Sequence, residues 1–596
     1  MPGTIRIGCA SAFWGDTCSA AAQLVEGGAL DYLVFDYLAE VTMSILAGAR
    51  LKDPQAGYAT DFIEVLTPLL PRLHAERIRV ISNAGGVNPQ ACAEALQAAC
   101  DQAGVPLKIA VLLGDDLQGQ WDRLAGQGLR EMFSGEPLPP ACVSSNAYLG
   151  SPGIVEALRL GADIVITGRV VDSAVVSAPL VHEFGWAWDD YDKLAQAALA
   201  GHLIECGAQC TGGNFTDWRE VPDYEHIGFP IVDVSADGQF IVTKAPGTGG
   251  LITPLIVGEQ LLYEIGDPQG YLLPDVICDF SQVRLIQQGK HAVRVHGARG
   301  LPPSDQYKVC ATGLDGYRCT ATCLIAGIDA VAKAERVGQA IIARTSQMFS
   351  QRGWAPYREV NVELLGSEAT YGQHRRRQDT REVVLKLAVR HPDRQALVLF
   401  SREIAQAATG MAPGLTGMVG GRPTVSPLIR LFSFLIDKAH CTLAIECQGQ
   451  RHPCPLPPLD TLQTGDLPLA ADVPKPQGRA DASVPLVKLA VARSGDKGNH
   501  VNIGVIARAP EYLPWIAEAL TPEVVVDWMS HVLDPLLGRV ERWYLPGTHS
   551  LNFLLENALG GGGAASLRGD PQGKALAQQL LDIQIPVPQS IADQLD

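Results

Sequence analysis

The sequence predicts an α/β protein: a mostly parallel, doubly wound N-terminal sheet, a mixed α+β second lobe and a small C-terminal α+β domain. Three observations carry this. Short β-branched runs alternate with helix-like segments from residue 5 to about 170, the pattern of parallel strands joined by right-handed crossovers. Proline density interrupts the chain between 449 and 484. At 596 residues, 47% hydrophobic and 19% charged, the chain exceeds what one core usually serves while keeping an ordinary globular balance.

In the first lobe, 1–216, the strand candidates are 5–9, 33–36, 78–82, 109–113, 141–144 and 164–167. Several end in polar or Gly-rich turns, and in such a Rossmann-like sheet ligands bind at the carboxyl ends of the strands, so that edge is the first place to look for a site. From 217 to 448 the pattern becomes closely spaced strands at 240–244, 276–279, 292–295 and 317–322. Helices at 328–350 and 394–409 then flank strands at 359–364 and 383–389, a mixed α+β lobe. The segment 449–484, with Pro453, Pro455, Pro457, Pro458, Pro468, Pro474 and Pro476, reads as a linker unable to hold regular ladders. A compact unit, 485–596, follows, beginning with a strand at 487–492.

Charge and apolar patterning exclude two classes of partner. With 47 basic against 64 acidic residues the net charge of −17 repels a phosphate backbone, so no nucleic acid is expected. No uncharged apolar run reaches the ~18–20 residues that cross a bilayer, and no membrane partner is expected. The N-terminus enters a strand pattern without a signal-peptide profile, and the 14 cysteines form no CxxC pairs. Both point to the cytoplasm.

Several turns have the residue types of a site. Asn83-Ala84-Gly85-Gly86, followed by Asn88 as N-cap and Pro89 at the first helical position, either presents backbone N–H groups to an anion or is a tight structural turn. Asp115 and Asp116, just past a strand, either bind a hydroxyl, hold a divalent ion or share a proton, or they cap the next helix. Asn146 lies in the turn of another strand. Arg169 and Asp172 are three apart: an anion anchor beside a base, or an internal ion pair. His202 and Glu205 share a helical face that must stop near Gly207, leaving the polar loop Gln209, Thr211, Gly212, Gly213 and Asn214. His202 is alternatively a hydrogen-bonded core residue, and a metal set with Cys206 and Cys210 fits no standard spacing. Thr248, Gly249 and Gly250 make either a backbone-donor loop or a hairpin turn. In the last domain Arg493-Ser494-Gly495-Asp496-Lys497-Gly498-Asn499 makes either an anion nest or an interface hairpin, with His549 and Asn552 as possible neighbours. Together these turns favour a ligand cleft.

These strings, in this order, resemble the acyclic terpene utilisation (AtuA) family: Asn83-Ala84-Gly85-Gly86, Gly114-Asp115-Asp116, Thr167-Gly168-Arg169-Val170-Val171-Asp172, Glu205-Cys206-Gly207-Ala208-Gln209 and Thr211-Gly212-Gly213-Asn214. The 493–499 string is similar to the family's appended ferredoxin-fold-like domain. The resemblance spans nearly the whole chain and implies a role beside the enzymes that break down citronellol- and geraniol-type terpenoids as acyl-CoA thioesters. The leading expectation is an enzyme of lyase or hydratase type acting on a branched acyl-CoA or related carboxylate. Its catalytic residues would be Asp172 or Glu205 as base, Arg169 as anion anchor and His202. Asn83, Gly85, Gly86, Asn88, Asp115, Asp116, Asn146, Gln209, Thr211, Gly212, Gly213, Asn214, Thr248, Gly249, Gly250, Asp496, Lys497 and Asn499 would line the ligand. No metal ligand and no cofactor is expected, acyl-CoA being substrate or ligand, and a homo-oligomer is expected. The alternatives are a non-catalytic acyl-CoA-binding or assembly subunit and, third, a metal-dependent hydrolase built on Asp115, Asp116, His202 and Glu205.

Overall fold

In the computed structural model, which describes residues 3–458, 460–462, 467 and 471–595, the apolar runs of the first half form a mixed sheet. Its first strands are β1 (Thr4–Cys9), β2 (Tyr32–Phe35), β3 (Arg79–Ser82), β4 (Ile109–Leu113), β6 (Ile164–Thr167), β7 (Pro230–Ser235) and β8 (Phe240–Lys244), with β5 (Ser144–Ala147) lying outside it. The order across the sheet is Arg284–Gly289, Ala292–His296, β8, β7, β1, β2, β3, β6, β4, Ala444–Cys447, Gln450–Pro453. The neighbours from β1 to β4 are parallel, and the strands outside them are antiparallel. The expected parallel core is thus present inside a wider mixed sheet, and strands from beyond residue 216 are hydrogen-bonded to strands from before it.

Side chains of the parallel strands alternate between two cores, as the period of two requires. Tyr32 and Val34 face the helices Pro152–Arg159, Ala174–Phe184 and Tyr191–Ile204, whereas Leu33 and Phe35 face the helices Ala20–Gly27, Thr60–Leu66 and Pro89–Ala103. The result is a three-layer unit with both faces covered, which is why β2 and β6 read as continuous apolar runs. Helix Tyr191–Ile204 is apolar on every side and buried from Leu194 to Ile204, a core helix rather than an amphipathic one.

Two expectations shift. The strand read at 141–144 forms three residues later as β5, whose Ser-Ser-Asn-Ala sequence is too polar for the buried sheet. It pairs antiparallel with the long strand Gln306–Ala326. That long strand organises the second lobe, pairing with Glu382–His391, Val425–Asp437 and Leu415–Met418, while helices Ala330–Gln351 and Arg394–Glu403 pack on it. The proline-rich segment, expected to lack ladders, carries one at each end. Gln450–Pro453 pairs with Ala444–Cys447, and Ala482–Pro485 with Gln584–Val587; Pro468 lies outside the described residues.

The small domain is a four-stranded antiparallel sheet in the order Ala490–Lys497, His500–Ala507, Ser550–Glu556, Arg539–Leu545: two hairpins with helices Leu513–Ala519 and Pro522–Trp528 between them. Its first strand starts at Ala490 rather than 487, because Leu486–Leu489 closes a helical turn. All 14 cysteines are free thiols. No described helix is long and apolar enough to cross a membrane.

Candidate functional site

The carboxyl ends of the parallel strands bring their polar turns together. Past β2 lies Asp36, whose Oδ1 accepts from Asn83 Nδ2 at 2.5 Å, while Asn83 Oδ1 accepts the Tyr37 amide at 2.8 Å. Past β4, Asp115 Oδ2 accepts the Arg169 amide and Asn146 Nδ2, each at 2.8 Å. Glycine is required at 168: a Cβ there would sit 2.5 Å from Asp115 Oδ2. Gly168→Ala should push that carboxylate off its donors and lower stability by about 1–3 kcal/mol in chemical denaturation.

Burial pushes Asp115 up to about 6, against the opposing hydrogen bonds from Arg169 and Asn146. A carboxyl raised in the folded state contributes stability fully below its unfolded pKa and loses it as the pH climbs to the folded value. Asp115→Asn removes that loss, so the variant should gain on the wild type by roughly 3 kcal/mol between pH 3.5 and 7, read from parallel denaturation curves.

Arg169 is buried, with Nη1 2.5 Å from Asp172 Oδ1 and its guanidinium 4.1 Å over the Tyr148 ring. The ion-pair reading describes the resting contact. Asp172 keeps a third of its side chain in solvent, at 34% exposure against 4% for Arg169.

His202 and Glu205 sit where the core helix ends against the start of helix Ala174–Phe184; a Cβ on Gly201 would lie 2.7 Å from Ser173 Cα. His202 Nε2 is 3.2 Å from the Leu261 carbonyl, which only accepts, so this nitrogen carries the proton. Nδ1 is then the acceptor, 3.2 Å from Glu205 Oε1. Burial drives the imidazole down to about 4. Burial, with the Asp172 and Glu264 charges behind it, holds Glu205 well above the usual carboxylate range, and Lys497 and Arg169 offset this only in part. The pair is therefore a neutral imidazole accepting from a protonated carboxyl. Asp36 is raised the same way, by burial and then by Asp172 and Glu205.

The 493–499 hairpin lies at the seam between the domains, the interface alternative. Arg493 docks the small domain: its guanidinium is 2.9 Å from Glu259 Oε2, an ion contact outside hydrogen-bonding alignment, and it donates to the Gly213 carbonyl at 3.0 Å and Gln260 Oε1 at 3.2 Å. Lys497 reaches the cluster, its ammonium 5.1 Å from the Tyr271 ring, which neighbours the rings of His202 and Phe280.

Other singled-out residues are engaged locally. Gly86, Val87 and Asn88 spend their amides inside the turn or on Gly57, and Gly85 packs against Pro89 and the Thr167 carbonyl. Asn88 stands at the N-cap position, but its side chain donates to the Pro54 and Ala56 carbonyls instead of capping. Asp116 does not pair with Asp115; it is exposed and accepts the Gln118 amide at 2.9 Å in a local turn, while Leu117 holds the N-cap position of the short helix that follows. The Thr211 hydroxyl donates to the Gly228 carbonyl at 2.5 Å, Gly212 is left-handed at φ 110°, and Asn214 is exposed. Gln209 accepts from Arg493 at 3.4 Å. Thr248 donates to the Ala245 carbonyl, and the Gly249 and Gly250 amides donate to the His226 and Pro222 carbonyls; the loop leads from β8 into the helix Pro254–Leu262 rather than turning a hairpin. Asp496 pairs with Lys574 at 3.1 Å, and Asn499 accepts the Gly561 amide at 2.7 Å. Asn552, rather than lining a loop, donates to the Ile265 and Gly266 carbonyls, while His549 is a left-handed turn residue.

Among the described residues no group of three or more His, Cys, Asp or Glu converges as a metal set, so Asp115, Asp116, His202 and Glu205 do not form one. Cavities of about 680 and 650 Å³ open at the amino ends of the strands, lined by Tyr32, Arg79 and Glu183 and by Arg6, Asp233 and Arg294. At the carboxyl edge Asp36, Asn83, Asp115, Arg169, His202 and Glu205 are buried, while Asp172 keeps a third of its side chain in solvent. Asp36, Glu264 and Tyr271 join the cluster without having been singled out from sequence. Asp36 had a signal, a lone acid closing an apolar strand; Tyr271 and Glu264 had none.

Residues 5–447 match the family model described as acyclic terpene utilisation family protein AtuA, and residues 484–586 match that of the AtuA ferredoxin-like domain. No curated protein and no solved structure matches the chain.

Proposed function

Because the chain belongs to the acyclic terpene utilisation family AtuA, we propose that it acts in that catabolism as an enzyme on branched acyl-CoA thioesters or related carboxylates, by proton abstraction and addition or elimination of water. One observation carries the reading: two carboxyl groups of one cluster sit in opposite environments. Glu205 is buried with its carboxyl held well above the usual carboxylate range, and Asp172 keeps a third of its side chain in solvent beside Arg169. Such divergence is how one site obtains both an acid and a base.

Asp172 takes a proton from the carbon next to the acyl carbonyl, and the electron pair moves onto the carbonyl oxygen as an enolate. Arg169 lies beside that carboxylate to hold the developing charge. When the enolate collapses, the hydroxyl on the next carbon leaves with the Glu205 proton as water, and His202 Nδ1 keeps the Glu205 carboxyl oriented. Solvent returns the proton from Asp172 and restores that of Glu205. Hydration is the same sequence reversed.

The test is incubation of the purified protein with branched and terpenoid acyl-CoA thioesters, following thermal shift and product mass together. Gain or loss of one water supports the enzyme. A thermal shift with the thioester unchanged supports the alternative, an acyl-CoA-binding or assembly subunit.

A further inference from the structure

Among the polar contacts that join the small domain to the large unit, a buried group ties the strands Ala490–Lys497, His500–Ala507 and Ser550–Glu556 to residues 259–266 and Thr216. Besides the Arg493–Glu259 contact, the Thr216 hydroxyl, which donates to Glu259 Oε1 at 2.6 Å, accepts the Ala492 amide at 3.0 Å. Asn502 accepts the Glu264 amide at 2.7 Å and donates to the Leu262 carbonyl at 2.6 Å, and its neighbour Asn552 holds Ile265 and Gly266. Gly495 lies so close to Tyr263 that a Cβ would come within 2.4 Å of its ring. Glu264 is held left-handed at φ 60°, a strain for a residue with a side chain that the Asn502 contact secures. These contacts hold the hairpin that carries Lys497 against residues 262–266, the segment that leads to Tyr271.

We propose that the small domain is half of the ligand site, with Lys497 binding the carboxylate or thioester carbonyl end of the ligand at the seam between the two domains. The Lys497 ammonium stands over Tyr271, which lies 5.9 Å from the His202 ring, so this cation flanks the same acid-base group from the opposite domain to Arg169. The charge acts on His202, Glu205 and Glu264 alike. An anionic group entering beside Asp172 and Tyr271, where the cluster meets solvent, would lie between Arg169 and Lys497. The assignment rests on the proposed acyl ligand, and it makes the small domain necessary in the same chain.

Calorimetric titration of the full-length protein with citronellate, CoA and citronelloyl-CoA tests it. Lys497→Met and Lys497→Gln should weaken citronellate by about 10- to 100-fold, the loss of one charge-assisted hydrogen bond, leave CoA unaffected and keep the thermal transition. Lys497→Arg should restore most of the affinity. If the Met and Gln variants bind citronellate as the wild type does, or lose CoA instead, the assignment is overturned while the proposed function stands. If the wild type binds neither citronellate nor its thioester, both fall together.

Discussion

Asp172→Asn is expected to lower turnover of the branched thioester by about 10²–10⁴-fold with ligand affinity little changed, the span that removing a general base costs. The substitution keeps the side chain's shape and the contact with Arg169 while taking away the site that accepts the proton. Glu205→Gln is the companion. It preserves a donor toward His202 Nδ1 but cannot give up a proton, so it should slow elimination comparably while leaving exchange of the substrate's acidic hydrogen into solvent intact. Asp172→Asn should abolish that exchange as well. Exchange in deuterated buffer therefore separates the two roles, and retention of exchange in Asp172→Asn would remove it as the base.

Arg493→Met should destabilise the protein by about 3–5 kcal/mol, because it strands Glu259 as a charge in a site where that side chain is fully buried. Glu259 Oε1 still accepts from the Thr216 amide and hydroxyl, but these neutral donors do not replace a guanidinium. The apolar seam of Phe215, Val221, Ile256 and Leu262 against Val491, Ile506 and Leu545 would remain and hold the domain partly in place. Adding Glu259→Gln to Arg493→Met removes the stranded charge, so the double variant should recover part of the loss, giving a coupling visible in a denaturation cycle. Equal stability of the single and double variants would mean that the contact is already neutral in the folded protein.

The parallel strands were legible because each is a short β-branched run ending in a polar turn; β4 and β6, and the antiparallel β8, begin and end where the pattern says. Arg169 with Asp172 and His202 with Glu205 were legible as pairs because three-residue spacing is a local relation. Roles within the pairs were not. Glu205 and Asp172 are the same kind of acid in sequence; burial of one and exposure of the other divides them, and burial depends on every element packed around the site. The long strand Gln306–Ala326, which captures β5 and changes partners along its length, shows a strand pattern only over 317–322, since its Gly and charged residues break the alternation elsewhere.

By itself, then, the sequence determined the α/β class, the small C-terminal domain, the family resemblance and the turns that could bear chemistry, all properties of residues within a few positions of one another. Only the tertiary structure decided that Asp36 and Tyr271 belong to the cluster, that Asp116 does not, and that Lys497 arrives from another domain. Those outcomes rest on contacts between residues hundreds of positions apart and on desolvation, which no stretch of sequence carries alone.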